Sequence, residues 1–587
     1  MARKITLKNA SSSQLVSIQK NKESVLLNQV NILIGFLVLT LFIRIFVASR
    51  YEINWDEFHY LSFVYDYINH ILSNSLQTFH VHFFTWLPRV SENEVKQIIA
   101  ARFIMLLLQL GTGYFIFRIS RRYLSIQAAL FAVLSYFSVS YNIRMGASFR
   151  PDPIAAFFLM ASLDLFLDKI LMIKKLIVAG ILMALALIVT IKSMIYLPTF
   201  MLIVIVMLIN DKNIKTVTSR VAIVAFSVAL SFSLLYLYHR SNILIIDDGE
   251  AITTLSGGFN KTVNFFDLLP RWNYLYYTLI HDIPYWLAIA YGIKVVCFAI
   301  CTKQQLSGRS AIIIATMIIP LCSVLFYRNA FPYFYSFILA PASIFCGVAW
   351  DALPWRDKKR NKSILIAGTI LFLIFISILR NGIIIPKIKN SDHQSQLLEV
   401  VHKAFPTPTQ YFDRCSMISS YSQVGFFMST WGVEGYRNKQ NPVLEQTIKN
   451  NNPPFYIANI GSLDVENKKS LKIYKQDELL VADLNALKDN YIHHWGEMYV
   501  AGKQFNLSQT KPVTDFFIQI HGTYTLESTA KALINGRILL PGESIYLAPG
   551  NHTIQGFHLP RKYILRWGEQ LYRPKSQPSQ KSTFNGF

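Results

Sequence analysis

The sequence predicts a polytopic α-helical membrane protein of about eleven spans carrying a C-terminal extracytoplasmic α/β plus β-sandwich-like domain. Three observations predict it. Of 587 residues, 52% are hydrophobic and only 16% charged, too apolar a balance for a soluble chain of that length. Stretches of roughly 20 apolar residues, long enough to cross a hydrocarbon core about 30 Å thick, recur between residues 31 and 380. After Arg380 the long apolar runs stop and Asn, Lys, Gln and Pro rise.

The predicted spans are centred near Val38, Leu108, Val133, Phe158, Met183, Val204, Phe226, Ala290, Met317, Leu339 and Phe372, each bounded by charged or turn-forming residues. Mostly polar residues 1–30 precede the first span and no small-residue cleavage pattern follows it, so the reading is a retained cytoplasmic tail rather than a signal peptide. That tail carries Arg3, Lys4, Lys8, Lys20 and Lys22. Alternate loops continue the basic bias at Arg118, Arg121 and Arg122, at Lys169, Lys174 and Lys175, at Lys212, Lys215 and Arg220, and at residues 356–362. Such loops face the cytoplasm. An odd number of spans then places everything after residue 380, with the loops 51–98 and 239–283 and the turns 143–152 and 327–333, on the opposite side.

The formal charge of +23 would suggest nucleic acid in a soluble protein, but here many cations lie in short loops facing anionic lipid, which excludes nucleic acid as the expected partner. Cys297, Cys301, Cys322, Cys346 and Cys415 show no disulfide or zinc spacing. Beyond residue 380, residues 395–480 combine an amphipathic stretch, Ser395 to Ala404, with strand-like Phe455 to Ile460, which suits a small α/β unit. Residues 490–587 read as β-sandwich-like: Phe516 to Ile520, Thr523 to Ser528, Ala532 to Ile534 and Ser544 to Leu547 are strand runs, with turn signals at Asn535-Gly536 and Pro549-Gly550-Asn551.

The residues that carry chemistry gather at the external face of this topology. Asp56 and Glu57, in Asn54-Trp55-Asp56-Glu57-Phe58-His59-Tyr60, directly follow the first span. Phe58, Leu61, Tyr65, Ile68 and Leu72 then fall at helical spacing, which predicts an interfacial helix. In the loop 239–283 the cluster Phe265, Phe266, Trp272, Tyr274, Tyr276 and Tyr277 reads either as a second wall over a lipid substrate or as an ordinary aromatic belt. Phe149-Arg150-Pro151-Asp152-Pro153 fixes a cation beside a carboxylate between two prolines, although an acid at a helix start is also ordinary capping. Lys192 and Arg328, the latter in Tyr327-Arg328-Asn329-Ala330-Phe331-Pro332-Tyr333, are expected at the same face, where each alone reads equally as a snorkelling cation. Carboxylates and cations on one membrane face suit group transfer from a phosphate-linked donor.

The acidic pair opening the first external loop, the Arg-Pro-Asp turn before the fourth span and the Phe-Pro-Tyr segment late in the membrane region resemble the C-type membrane glycosyltransferases, nearest the protein O-mannosyltransferases and the lipid A aminoarabinose transferases. The resemblance covers roughly residues 30–380 and rests on short motifs. It implies a polyprenyl-phosphate sugar donor, a lipid, glycan or protein acceptor, an external active site, inversion at the anomeric carbon and Asp56 as catalytic carboxylate. With it, the expected catalytic set is Asp56, Glu57 and Asp152, and the expected substrate-binding set is His59, Tyr60, Arg150, Lys192, Arg328 and Tyr333. The bacterial inner membrane is the expected location.

No cofactor is required by this scheme, and a divalent metal is compatible with it. His80 and His82, and likewise His493 and His494, lack a third ligand at diagnostic spacing and read as surface histidines. The rival function is a transporter or flippase of a lipid-linked glycan, which would place its charges near the midplane and show repeated halves; neither is seen.

Overall fold

The computed structural model describes residues 12–74, 77–168, 172–210, 214–244, 269–302, 308–355, 360–466, 479–557, 560–578 and 582–585. The chain separates into two compact units. The first comprises Met1–Tyr51, His70–Phe83 and Ala101–Ile388, and the second comprises Glu52–Asn69, Phe84–Ala100 and Lys389–Phe587. The basic tail residues Arg3, Lys4 and Lys8, and the loop residues Lys169, Lys212, Arg356, Lys358 and Lys359, lie outside the described residues, as do Phe265 and Phe266.

In the membrane unit every predicted span centre falls inside a helix except Met317, which sits at the joint between Gly308–Thr316 and Ile319–Cys322, where Pro320 interrupts the ladder. Among the described residues eight helical stretches are long and apolar enough to cross a membrane: Asn28–Arg50, Glu94–Arg121, Ile191–Ile209, Ile214–Ser241, Ile283–Thr302, Gly308–Leu325, Phe334–Asp351 and Asn361–Ile388. The other predicted spans are the shorter helices Ile126–Ser138, Pro151–Phe166 and Ile173–Val189. Phe334–Asp351 is almost wholly enclosed by protein, as expected of a helix apolar all round. Helices Ile173–Val189 and Ile214–Ser241 approach closely at Gly180, where a Cβ would stand 2.5 Å from the Ser227 Cβ. The Ser227 hydroxyl donates to the Ile177 carbonyl at 2.8 Å across that contact.

The second unit is α/β running into a two-sheet sandwich. Its larger sheet begins with three parallel strands, β1 (Gln410–Phe412), β2 (Ser422–Gln423) and β3 (Phe455–Ile457), with helix Asp392–Ala404 leading into them. The long strand β5 (Met498–Leu507) pairs with β3 and with β4 (Tyr491–Trp495) through its first half and with β12 (Arg561–Trp567) through its second. It therefore joins the α/β strands and the sandwich strands in one sheet. β7 (Gly522–Glu527) and β10 (Ser544–Leu547) complete that sheet, while β6 (Val513–Ile518), β8 (Ala532–Ile534), β9 (Arg537–Leu539) and β11 (Gly550–Gly556) form a second, four-stranded one. Phe505, Tyr524, Leu526 and Tyr563 from the first sheet pack against Phe516, Ile518, Ile534 and Ile554 from the second. The β8–β9 hairpin turns at Asn535 (φ 48°) and Gly536 (φ 81°), the left-handed pair that a two-residue type I′ loop requires.

Candidate functional site

In the membrane unit, three chain segments each start a helical turn at the same place. Arg150 is the extended residue before helix Pro151–Phe166, with Pro151 at its first position; the fixed proline φ is pre-set for a helix and its missing N–H costs nothing there. Asp152 lies in that first turn, where the peptide dipoles favour a negative charge. Lys192 enters on the 3₁₀ turn Ile191–Tyr196, capped by the Thr190 hydroxyl, which accepts from the Lys192 backbone N–H at 3.4 Å. Tyr333 enters on the 3₁₀ turn Pro332–Phe334, again with proline first.

These starts bring four predicted residues together. Lys192 Nζ donates to Asp152 Oδ1 at 2.8 Å, and Arg150 Nε stands 3.5 Å from Asp152 Oδ2. The Arg150 guanidinium carbon lies 3.3 Å above the centre of the Tyr333 ring, and Lys192 Nζ lies 5.0 Å from it. Arg150, Asp152 and Lys192 expose only 4%, 1% and 9% of their side-chain surface. Two cations thus share one carboxylate against an aromatic face in a dry setting, where screening is weak.

Arg328 is on the segment leading to Tyr333, and its carbonyl accepts from Arg271 Nε at 3.0 Å. The Arg271 guanidinium carbon lies 4.5 Å over the ring of Phe331. The aromatic helix Trp272–His281 divides its side chains: Tyr277 stacks on Tyr141 at 5.2 Å, whereas Trp272 and Tyr276 are about half exposed. It is partly packed wall and partly exposed aromatic surface.

His80 is not a surface residue, and His82 is half-buried. His80 is 1% exposed, with its ring 6.0 Å from that of Phe149. His82 Nε2 and His239 Nδ1 are 2.8 Å apart, and Thr78 Oγ1 lies 2.9 Å from His239 Nε2. Burial disfavours the charged ring and lowers the His82 pKa. His494 is likewise buried, its Nε2 bonded to the Tyr572 carbonyl at 3.0 Å. The surface reading of His82 and His494 failed because their partners, His239 and Tyr572, are far away in the chain. Among the described residues no group of three or more His, Cys, Asp or Glu side chains is arranged to hold a metal.

The acidic pair belongs to the second unit, at the start of helix Trp55–Ile68. Asn54 closes a capping box: its side-chain oxygen accepts from the Asp56 N–H at 3.1 Å while its own N–H donates to Glu57 Oε1 at 3.1 Å. The pair therefore splits. Glu57 is fully buried and turned back on the backbone, whereas Asp56 is half-buried. Further along the same helix, His59 stacks on Phe427 at 3.9 Å between centroids, and the half-buried Tyr60 meets Phe63 edge-on at 6.3 Å. The Arg414 guanidinium carbon lies 3.8 Å over Trp55. Arg414 and Phe427, the contacts the sequence reading missed, project from the loops after β1 and before helix Thr430–Lys439. The helix expected to lie along the headgroups buries Phe58, Leu61 and Val64.

No protein-family model matches the chain, and no curated protein matches its sequence. Solved structures do. The Archaeoglobus fulgidus oligosaccharyltransferase in its apo form matches with a TM-score of 0.53 at 11% identity, over 88% of this chain and 76% of that one. The same organism's oligosaccharyltransferase AglB, in complex with an inhibitory peptide and a dolichol-phosphate, matches with a TM-score of 0.50 at 10% identity, over 93% of this chain and 98% of that one. ArnT from Cupriavidus metallidurans bound to undecaprenyl phosphate matches at 0.47 and 13% identity, over 72% of this chain and 92% of that one, too low a score to add weight. The chain shares the fold of these oligosaccharyltransferase structures: apolar helices followed by a sheet-containing C-terminal domain.

Proposed function

We propose that this protein is an inverting glycosyltransferase that moves a sugar from a polyprenyl-phosphate donor to a lipid, glycan or protein acceptor at the external membrane face. The observation that carries the reading is the buried Arg150–Asp152–Lys192–Tyr333 cluster in a fold shared with a transferase that was captured with a dolichol-phosphate. The cluster and Arg328 bind the donor phosphate; Tyr333 and Asp152 hold the two cations in place before it arrives. Asp56 acts as general base and Glu57 sets its position through the capping box, while His59 and Tyr60 line the substrate side of the helix.

In the transfer step the acceptor oxygen attacks the anomeric carbon in line, its proton passes to Asp56, and the bond from that carbon to the phosphate oxygen breaks with its electron pair going to the phosphate. Arg150 and Lys192 stabilise the charge that develops there. The membrane is the bacterial inner membrane, with residues 1–30 cytoplasmic and the C-terminal domain periplasmic. The test is the purified protein in nanodiscs with a panel of polyprenyl-phosphate sugars. Released polyprenyl phosphate together with a glycosylated acceptor supports the transferase, whereas movement of intact donor across the bilayer without release would show a flippase instead.

A further inference from the structure

The helix start that presents Asp56 is held in place by residues far away in sequence, all within the second unit. The peptide of Ile53 is gripped on both sides by one amide: its N–H donates to Gln394 Oε1 at 2.9 Å and its carbonyl accepts from Gln394 Nε2 at 2.8 Å. The same Gln394 Nε2 donates to the Thr583 carbonyl at 3.1 Å, and the Thr583 N–H donates to Glu497 Oε1 at 2.8 Å. Glu52, only 6% exposed, accepts from the Asn585 N–H at 2.7 Å and from Asn585 Nδ2 at 2.7 Å, one bond to each carboxylate oxygen. Lys389 Nζ donates to the Asn585 carbonyl at 3.0 Å. Between these polar anchors the Phe584 ring meets Trp55 and Phe58 edge-on, each at 6.0 Å. Residues 582–585 therefore touch the chain on both sides of Asp56, from Glu52 to Phe58.

We propose that residues 582–585 form a positioning strap that fixes the first turn of helix Trp55–Ile68, with Asn585 and Phe584 as its positioning residues. The inference deepens the reading of Asp56 as the general base, and rests on it. Nothing else in these residues suggests chemistry, since a phenylalanine, an asparagine and a threonine offer no acid or base. Thr583 and Phe584 are buried, and the bonds from Asn585 to the carboxylate of Glu52 are charge-assisted and part-buried, contacts of the kind that set geometry. A base displaced by about 1 Å loses roughly a hundredfold in rate.

The test uses the full chain. In F584A/N585A, hydrogen exchange of the amides at 53–58 should rise while the rest of the second unit stays protected, and kcat should fall by about tenfold to a hundredfold with the donor KM within about twofold. N585D alone sets a carboxylate against that of Glu52 and should lower kcat similarly. E52Q/N585D restores a donor–acceptor pair and should recover most of it, which a merely global loss of stability would not do. Unchanged exchange at 53–58, or unaltered kcat in F584A/N585A, would overturn the strap. Wild-type turnover in D56N would instead remove the function proposed for Asp56, leaving the exchange result to judge the strap by itself.

Discussion

Helix Pro151–Phe166 carries a carboxylate near each end, and each is met by two cations. Asp152 has Arg150 and Lys192 at 3.5 and 2.8 Å, and Asp164 has Arg118 and Arg122 at 3.1 and 2.9 Å. The difference lies in what surrounds the cations. Arg118 and Arg122 expose 41% and 23% of their side chains, and Arg122 also donates to the Asp164 and Leu167 carbonyls, so that group ties down a helix end. Arg150 and Lys192 are enclosed and face the Tyr333 ring, and their carboxylate sits where a helix dipole adds to the positive field. A carboxylate with two cations is therefore not by itself a binding site. Arg118 too lies over a ring, that of Tyr114 at 5.7 Å, so burial is what separates the two cases, because an enclosed cation loses most of its solvation and has most to gain from a phosphate.

The comparison can be broken experimentally, and the largest effect lies outside both clusters. Asp56→Asn should lower transfer by about a hundredfold to ten-thousandfold while the protein still inserts and melts as the wild type does; turnover of released polyprenyl phosphate checks it. Next, Lys192→Ala or Arg150→Ala should reduce kcat by roughly a hundredfold to a thousandfold, whereas Arg118→Ala should leave it within about twofold, because Arg118 is 41% exposed and the buried Asp164 keeps Arg122. Tyr333→Ala, which removes the face beneath both cations, should cost roughly tenfold, and Tyr333→Phe almost nothing, because the ring rather than the hydroxyl makes the contact. Loss of the capping box in Glu57→Ala should destabilise the second unit by about 1 kcal/mol, read as a lower melting temperature.

The smallest effect is a pH dependence. Burial pulls the His402 pKa down, but the hydrogen bond from His402 Nε2 to Glu94 at 3.0 Å and the charge of Glu94 outweigh it and hold the ring above its usual 6.5. A raised folded-state pKa means the contribution to stability is complete below pH 6.5 and fades as pH rises through the higher folded value. Melting temperature against pH should show that decline, and His402→Gln should flatten it.

Much of this architecture was legible because apolar length and turn chemistry are local. Span centres such as Val38 and Ala290 lie in helices, and Ala532–Ile534, Ser544–Leu547 and the Asn535-Gly536 turn are where period and turn residues put them. The Arg150-Pro151-Asp152 motif was legible as a helix start, whereas the 3₁₀ turn that Pro332 opens, which brings in Tyr333, was not read. What stayed hidden depends on partners far along the chain. The split between Asp56 and Glu57 follows from the Asn54 capping box, a local pattern that was not read from the sequence. The bond between Glu52 and Asn585 joins positions 533 apart and leaves no trace in any sequence window. The burial of His80 and the pairing of His82 with His239 belong to the same class.

In the proposed mechanism Arg150 and Lys192, and not the more accessible Arg118 and Arg122, hold the lipid phosphate. Binding of a polyprenyl phosphate to the purified protein, followed by native mass spectrometry for the wild type, Lys192→Ala and Arg122→Ala, tests this directly. The expected result is affinity at least tenfold weaker in Lys192→Ala and unchanged in Arg122→Ala, a difference of about 1.4 kcal/mol or more. Equal affinity in all three proteins would contradict it.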